Sequence, residues 1–110
     1  MPHRVWIVDC PVCHRWSPVP TLSIQAICRE AGACLDCMKD DYYMLKVEIA
    51  ATEQALESIV RRALKLPDEQ RQPLRHVYVR KAGQLADARD RLALLDAHRD
   101  EHQAFARRFA

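Results

Sequence analysis

The chain has 110 residues, a formal net charge of +2, 49% apolar residues and 29% charged residues. This composition favours one folded globular domain over a disordered chain. Two glycines are too few for a glycine-rich phosphate loop, and no apolar run approaches the roughly 20 residues of a membrane span. The short apolar stretch that follows Met1 to Arg4 is too brief for a signal-peptide core. We therefore expect a cytoplasmic protein, in which structural disulfides are uncommon.

The first third of the chain predicts short elements. Residues 4–8 are rich in strand-forming side chains and predict a short β-strand. Pro18 and Pro20 indicate a loop, after which Thr21 is placed to cap a helix over residues 22–30. Gly32 is placed to end that helix.

The clearest helical signal begins in the second third of the chain. Apolar and small residues recur there with alternating steps of four and three, and the stripe consists of Leu45, Ile49, Thr52, Leu56, Ile59, Ala63 and Leu66. This spacing keeps one face of a helix in line and is typical of a coiled-coil seam. Pro67 is expected to end the helix.

A second periodic stretch starts near Pro73, a residue suited to the first turn of a helix. Its stripe runs through Leu74, Val77, Lys81, Leu85, Ala88, Leu92, Leu95, His102, Ala106 and Phe109, with breaks at Lys81 and around Arg99. The short linker over residues 67–72 predicts that the two helices are antiparallel neighbours. Since a two-helix hairpin buries little apolar surface, we expect two chains to pair into a four-helix arrangement.

Two cysteine pairs carry the most specific chemical signal. Cys10 and Cys13 form one Cys-x-x-Cys pair, and Cys34 and Cys37 form a second pair twenty residues later. Each pair can direct two sulfur atoms at one ion, and two pairs complete the tetrahedron of a structural Zn²⁺ site. An iron–sulfur cluster uses the same ligands, and four unconnected thiols are the remaining interpretation. Cys28 lies among apolar residues at helical spacing and is expected to be a buried core residue, with a role as an alternative ligand left open.

The order of these elements resembles a treble-clef zinc finger, in which a knuckle comes first and a helix N-terminus supplies the second pair; a zinc ribbon is the alternative. The resemblance covers residues 5–45 and implies that Cys37 lies in the first turn of the long helix. The combination of a four-cysteine site with a helical hairpin is also loosely similar to DksA/TraR transcription factors, with the order reversed. The predicted fold class is therefore mainly α, with a zinc-finger lobe over residues 1–37 and a long antiparallel, coiled-coil-like helical hairpin over residues 38–110.

Several other motifs point elsewhere. Cys10 to His14 matches the Cys-x-x-Cys-His string of haem attachment, and its Cys-Pro-x-Cys part resembles a thioredoxin-type redox pair. His98 to His102 fits the His-x-x-Glu-His pattern of inverzincin proteases, although only eight residues follow it for a further ligand. Residues 23–32 resemble the first helix and turn of a helix-turn-helix, but the acidic residues after Leu35 suit a DNA-reading helix badly.

Charge is distributed unevenly along the chain. Residues 61–81 contain two acidic residues against seven basic residues, which are Arg61, Arg62, Lys65, Arg71, Arg75, Arg80 and Lys81. In the predicted hairpin this excess of positive charge lies at the tip. It indicates either a solvated surface or a contact surface for phosphates or an acidic partner. The sequence thus favours a non-enzymatic regulator or adaptor with structural zinc that contacts nucleic acid or a nucleoprotein complex through a basic tip. The alternative is a protein–protein interaction module, such as a small inhibitor or assembly factor encoded by a mobile element.

Overall fold

The computed structural model describes the backbone of residues 5–108 and the side chains of residues 5–101 and 108. The chain is mainly helical, with a two-stranded sheet near its N-terminus. It divides into two compact units, Met1–Ala50 and Ala51–Ala110. In the described part of the chain, no helix combines the length and apolar character that crossing a membrane requires.

The first unit begins with an antiparallel pair of strands, β1 (Trp6–Asp9) and β2 (Trp16–Val19). The sequence predicted a strand in residues 4–8, of which Arg4 lies outside the described residues. It did not predict β2, because Pro18 was interpreted as part of a loop. Proline has no N–H, but Pro18 lies opposite Ile7 in a two-stranded sheet whose strands are both edges, and proline is tolerated in an edge strand.

The two faces of this sheet differ in burial. Val8 and Val19 point inward and are buried beneath the next helix, whereas Ile7 and Trp16 point outward, with Trp16 78% exposed. Since side chains alternate along a strand, Ile7, Trp16 and Pro18 share the outward face. The sheet therefore presents apolar side chains on both faces, and only the inward face is covered within the described unit.

Helix α1 (Leu22–Ala31) follows, with both ends formed as the sequence predicted. The Thr21 Oγ1 accepts the Ile24 N–H at 3.1 Å, which satisfies one of the free donors at the helix start. Gly32 has a φ of 71°, the left-handed conformation that glycine adopts at low cost. Its N–H donates to the Cys28 carbonyl at 2.9 Å, so the chain turns sharply away into the second cysteine pair.

Helix α2 (Asp41–Leu64) begins later than the treble-clef resemblance implied. Asp40 caps it, because the Asp40 Oδ1 accepts the Tyr42 N–H at 2.8 Å. Cys37 consequently lies in a turn before the helix and not in its first turn. The first part of α2 completes the core of the first unit, where Tyr43, Val47 and Ala50 pack against a cluster that includes Cys10, Cys28 and Cys34.

A helical hairpin forms the second unit. Pro67 and a short 3-10 helix, Asp68–Gln70, connect α2 to α3 (Gln72–Arg108). Every residue of the predicted stripe on α2 is buried or half-buried, which confirms the pattern of alternating steps. On α3 the buried members are Leu85 and Ala88. Lys81 and Arg99, the expected breaks, are half-buried in line with the stripe, and the side chains of His102, Ala106 and Phe109 lie outside the described residues.

Candidate metal centre and basic hairpin tip

The first cysteine pair lies in the loop of the β-hairpin. The Cys10 N–H donates to the Arg15 carbonyl at 3.1 Å, and the His14 N–H donates to the Cys10 carbonyl at 2.9 Å. These two bonds extend the strand pairing and close a tight turn that holds Cys10 and Cys13 together. His14 adopts a φ of 59°, an uncommon conformation for a residue with a Cβ atom. The turn is therefore a knuckle built from strained backbone.

The second pair forms a knuckle of its own between α1 and α2. The N–H groups of Cys37 and Met38 both donate to the Cys34 carbonyl, at 3.1 and 2.9 Å. The pair thus depends on a local turn rather than on a helix N-terminus. The segment between the two knuckles contains β2 and α1, so the predicted helix over residues 22–30 is confirmed in place of the hairpin usual in a treble clef.

All four predicted ligands converge. The Sγ atoms of Cys10, Cys13, Cys34 and Cys37 lie within 4.8 Å of one another, and the Cys13 and Cys34 sulfurs are 3.8 Å apart. A tetrahedral ion with metal–sulfur bonds of about 2.3 Å has sulfur–sulfur edges of about 3.8 Å. No disulfide is present, since all five cysteines are free. The four thiols are thus spaced to bind one metal ion.

Backbone donors already favour a thiolate at this site. The N–H groups of Cys13 and Cys34 point at the Cys10 Sγ, at 3.5 and 3.2 Å. The Cys13 N–H contributes most, and with the Cys34 N–H it lowers the pKa of Cys10 to about 6 despite burial. The Cys37 N–H similarly lowers the pKa of Cys34. A thiolate is the form that binds a metal ion.

The opposite shift occurs at Cys37. Hydrogen bonding with the sulfurs of Cys34 and Cys13 raises the pKa of Cys37 to about 12. Cys37 therefore stays a neutral thiol, and this avoids the repulsion that a further thiolate would add beside the neighbouring sulfurs. A divalent cation at the centre of the four sulfurs would replace that proton and neutralise the same repulsion.

Cys28 lies in the core, 1% exposed and outside the group of four converging sulfurs. Burial raises its pKa, and the nearby sulfurs of Cys34 and Cys10 act in the same direction. It is therefore held as a neutral thiol in an apolar setting, as the sequence predicted for a core residue.

No known protein family, curated protein or solved structure matches this chain. The geometry of the four sulfurs thus stands as the evidence for metal binding. In the inverzincin-like string, the His98 Nδ1 lies 3.9 Å from the Glu101 Oε2 and both side chains are highly exposed. The side chain of His102 lies outside the described residues.

The seven predicted contact residues occupy different environments at the hairpin tip. Arg71 stabilises the linker between the two helices. Its Nε donates to the Leu66 carbonyl at 2.9 Å, and its Nη1 lies 2.8 Å from the Asp68 Oδ1. Arg61 pairs with Glu57 one turn earlier on α2, and Lys81 is half-buried. The remaining four, Arg62, Lys65, Arg75 and Arg80, are exposed.

One contact between the helices marks their register in the hairpin. The Arg89 Nη2 on α3 donates to the Glu53 Oε1 on α2 at 2.8 Å. A displacement of seven or eleven residues along a helix is about two or three whole turns, so it returns to the same side of that helix. Moving from this pair toward the tip by seven residues on each helix therefore reaches Val60 and Ala82 on the same side, and moving by eleven reaches Leu64 and Tyr78.

We call this side the apolar flank, defined by Val60, Leu64, Tyr78 and Ala82. Leu64 is 70% exposed there, and Val60 and Tyr78 are also exposed. The sequence pattern does not reveal this flank, because each helix contributes two of its residues and only the register places all four on one side. The outward face of the β-hairpin was not predicted either, since β2 was not predicted.

Proposed function

We propose that this chain is a non-enzymatic zinc protein in which one structural Zn²⁺ holds the N-terminal lobe and a helical hairpin makes contact with nucleic acid or a nucleoprotein complex. The observation that carries the zinc assignment is the 3.8 Å separation of the Cys13 and Cys34 sulfurs, the edge length of a tetrahedral zinc–thiolate site. Four thiolate ligands complete the coordination of the ion, which is the arrangement of structural rather than catalytic zinc.

Spacing also favours zinc over an iron–sulfur cluster. A cluster places several iron and sulfide atoms between the thiolates and needs them further apart than one ion does. The four sulfurs lie within 4.8 Å of one another, which leaves room for one ion. The finger would combine two knuckles, one on a β-hairpin and one between two helices, with α1 inserted between them.

Zinc would act here through folding. Val8, Val19, Ile24 and Met38 form a small buried cluster with three of the cysteines, and a core of this size gives limited stability without a cross-link. Metal binding to sulfurs from two distant turns would supply that cross-link and couple folding to the ion. The proposed result is a rigid N-terminal lobe.

Contact with nucleic acid is supported by the charge of the tip. Five exposed basic side chains lie within residues 61–81, and one of them, Arg61, pairs with Glu57. The same range contains two acidic residues, of which Asp68 is already paired with Arg71. Phosphate groups would neutralise this excess and release condensed counterions, which gives affinity at low and moderate salt.

The test of the metal role is chelation followed by limited proteolysis and circular dichroism. Removing zinc is expected to expose residues 1–37 to protease while most of the helical signal remains. Unchanged cleavage within residues 1–37 would contradict the proposed coupling. Pull-down from native lysate with and without nuclease tests the partner: loss of captured material after nuclease treatment supports nucleic acid or a nucleoprotein.

The alternative, a protein–protein interaction module, is favoured by the exposed apolar surfaces. Ile7, Trp16 and Pro18 share the outward face of the β-hairpin, and the apolar flank exposes further side chains. The predicted pairing of two chains into a four-helix arrangement would bury the apolar flank of each copy. Sedimentation velocity at tens of micromolar tests it: Leu64→Glu should shift a dimer to monomer, whereas a monomeric parent protein removes the pairing.

A further inference from the structure

Two exposed arginines lie on the side of the hairpin tip opposite the apolar flank. Arg62 lies nine residues beyond Glu53 on α2, and Arg80 lies nine residues before Arg89 on α3. Nine residues is about two and a half turns. Because Glu53 and Arg89 touch, the same displacement on both helices places Arg62 and Arg80 on the other side of the hairpin.

Lys65, one turn beyond Arg62, extends the same surface. We call Arg62, Lys65 and Arg80 the basic flank. All three side chains are exposed. No ion pair connects any of them to a carboxylate in the part of the chain that the structure describes.

The sequence also places no acid within one helical turn of either arginine. The positions three and four residues from Arg62 are Ser58, Ile59, Lys65 and Leu66, and those around Arg80 are His76, Val77, Gly83 and Gln84. Lys65 adds a like charge one turn from Arg62, and like charges at that spacing repel one another. The basic flank therefore concentrates positive charge that the fold itself does not neutralise.

We propose that the basic flank binds the phosphodiester backbone of a nucleic-acid duplex, with Arg62 and Arg80 as the central contacts. This inference rests on the proposed function and narrows it from seven basic residues to three. Guanidinium groups match the geometry of phosphate oxygens in bidentate hydrogen bonds. Two of them, one from each helix, would contact phosphates of the same duplex.

The segregation of side chains at the tip favours a nucleic acid over an acidic protein. Leu64 and Tyr78, the large apolar side chains that would anchor a protein partner, lie on the other flank. Stable protein interfaces depend on such anchors, whereas phosphate contacts do not. Tyr78 is also the tyrosine that would stack on an unpaired base, so its position favours a duplex over a single strand.

The test compares two variants with the same change in net charge. Arg62→Gln/Arg80→Gln removes two charges from the basic flank. Arg61→Gln/Arg75→Gln removes two charges elsewhere, since Arg61 faces Glu57 and Arg75 lies fourteen residues before Arg89, close to the side of the apolar flank. The probe is a fluorescent 20-base-pair duplex DNA titrated with zinc-loaded protein by anisotropy, at several salt concentrations.

We expect the basic-flank variant to lose about tenfold or more in affinity at low salt and its salt slope to fall by about 1.8, the value for two phosphate contacts. The control variant should lose about twofold at most and keep its slope. Arg62→Lys/Arg80→Lys should restore the slope. Circular dichroism of each variant verifies that the hairpin remains folded.

Other results overturn the inference in distinguishable ways. Equal losses in both glutamine variants would mean that the tip binds through diffuse charge, which contradicts the assignment to one flank and leaves the proposed function standing. Tighter binding to the matched single strand would contradict the duplex assignment. Displacement of the duplex by a polyglutamate peptide at equal charge concentration would indicate an acidic protein partner. Absence of duplex binding by the parent protein would overturn the inference, and absence of both duplex and single-strand binding would also overturn the nucleic-acid contact in the proposed function.

Discussion

The backbone N–H of Cys34 donates to the Cys10 Sγ at 3.2 Å, a hydrogen bond between residues 24 positions apart. It connects the two knuckles directly, so the second cysteine pair is positioned against the first by the polypeptide itself. The Cys13 N–H adds a second donor to the same sulfur. The site is thus preorganised around Cys10, and a metal ion would complete an arrangement that the backbone has already begun.

Replacing Cys34 should abolish metal binding, whereas replacing Cys28 should not. Cys34→Ser removes one of the four converging sulfurs, and we expect the zinc content to fall from one per chain to near zero and the lobe to unfold. Cys28→Ala is the matched control, because it removes a buried sulfur outside the group of four. It should keep one zinc per chain and cost about 1 kcal/mol through a small cavity. Elemental analysis and thermal unfolding provide the two measurements; equal zinc content in both variants would contradict the ligand assignment.

Metal binding should release protons near neutral pH. The pKa of Cys37 is raised to about 12, so at pH 7.5 that thiol is protonated and its proton must leave when the ion binds. The pKa of Cys10 is lowered to about 6, so Cys10 is already a thiolate and contributes little proton release. Apparent affinity should therefore rise with pH and fall steeply below about pH 6, where Cys10 also becomes protonated. Calorimetry in buffers of different ionisation enthalpy measures the proton count, and binding without proton release at pH 7.5 would contradict these assignments.

The same shifts fix the pH dependence of the metal-free fold. The lowered pKa of Cys10 stabilises the folded state fully at pH values above 9.0, the ordinary thiol pKa. That stabilisation is lost as the pH falls through about 6. The raised pKa of Cys37 favours the folded state below 9.0 and is lost as the pH rises through about 12. After chelation, opening of the lobe should thus be least complete in mildly alkaline solution, as the rate of protease cleavage within residues 1–37 at several pH values would measure.

Glycine in place of His14 should stabilise the first knuckle. His14 holds a φ of 59°, and the left-handed conformation costs a residue with a Cβ atom about 1 kcal/mol. His14→Gly is expected to raise the melting temperature of the zinc-loaded lobe, and Arg15→Gly, where φ is not positive, is expected to lower it. A lower melting temperature for His14→Gly would show that the imidazole makes a stabilising contact.

The Gln25 side chain should stabilise β1 by hydrogen bonding to its backbone. Its Nε2 donates to the Ile7 carbonyl at 2.7 Å, and its side chain is buried. Gln25→Ala leaves that carbonyl without its partner and should destabilise the lobe by about 1–3 kcal/mol. Gln54→Ala, at an exposed position of α2, is the matched control and should change stability by less than about 0.5 kcal/mol. Chemical denaturation measures both, and equal effects would show that the edge hydrogen bond contributes nothing.

The features that sequence predicted well are those set by local chemistry. Thr21 and Gly32 fixed the ends of α1 because a hydroxyl cap and a left-handed glycine act on their immediate neighbours. The alternating steps from Leu45 to Leu66 identified the buried face of α2, since burial follows helical periodicity. Cysteine spacing alone indicated which four residues converge.

The features that sequence did not predict depend on contacts between distant residues. β2 forms although it contains Pro18, because both strands of a two-stranded sheet are edge strands. The backbone nitrogen of a proline in an edge strand can lie on the side that has no partner strand, where no N–H is needed. The start of α2 depends on the Asp40 cap, which competes with any earlier start near Cys37. The two flanks of the hairpin follow from the register that the Glu53–Arg89 contact marks, and no local pattern in either helix specifies that register.

The most direct test of this account is native mass spectrometry of the protein purified from cells without added metal, combined with elemental analysis. We predict one zinc ion per chain, all five thiols protected from alkylation in the metal-loaded form, four by the ion and Cys28 by burial, and all five reactive after chelation and unfolding. A metal-free chain whose thiols react in its folded state, or a chain carrying an iron–sulfur cluster with its visible absorbance, would contradict the central claim.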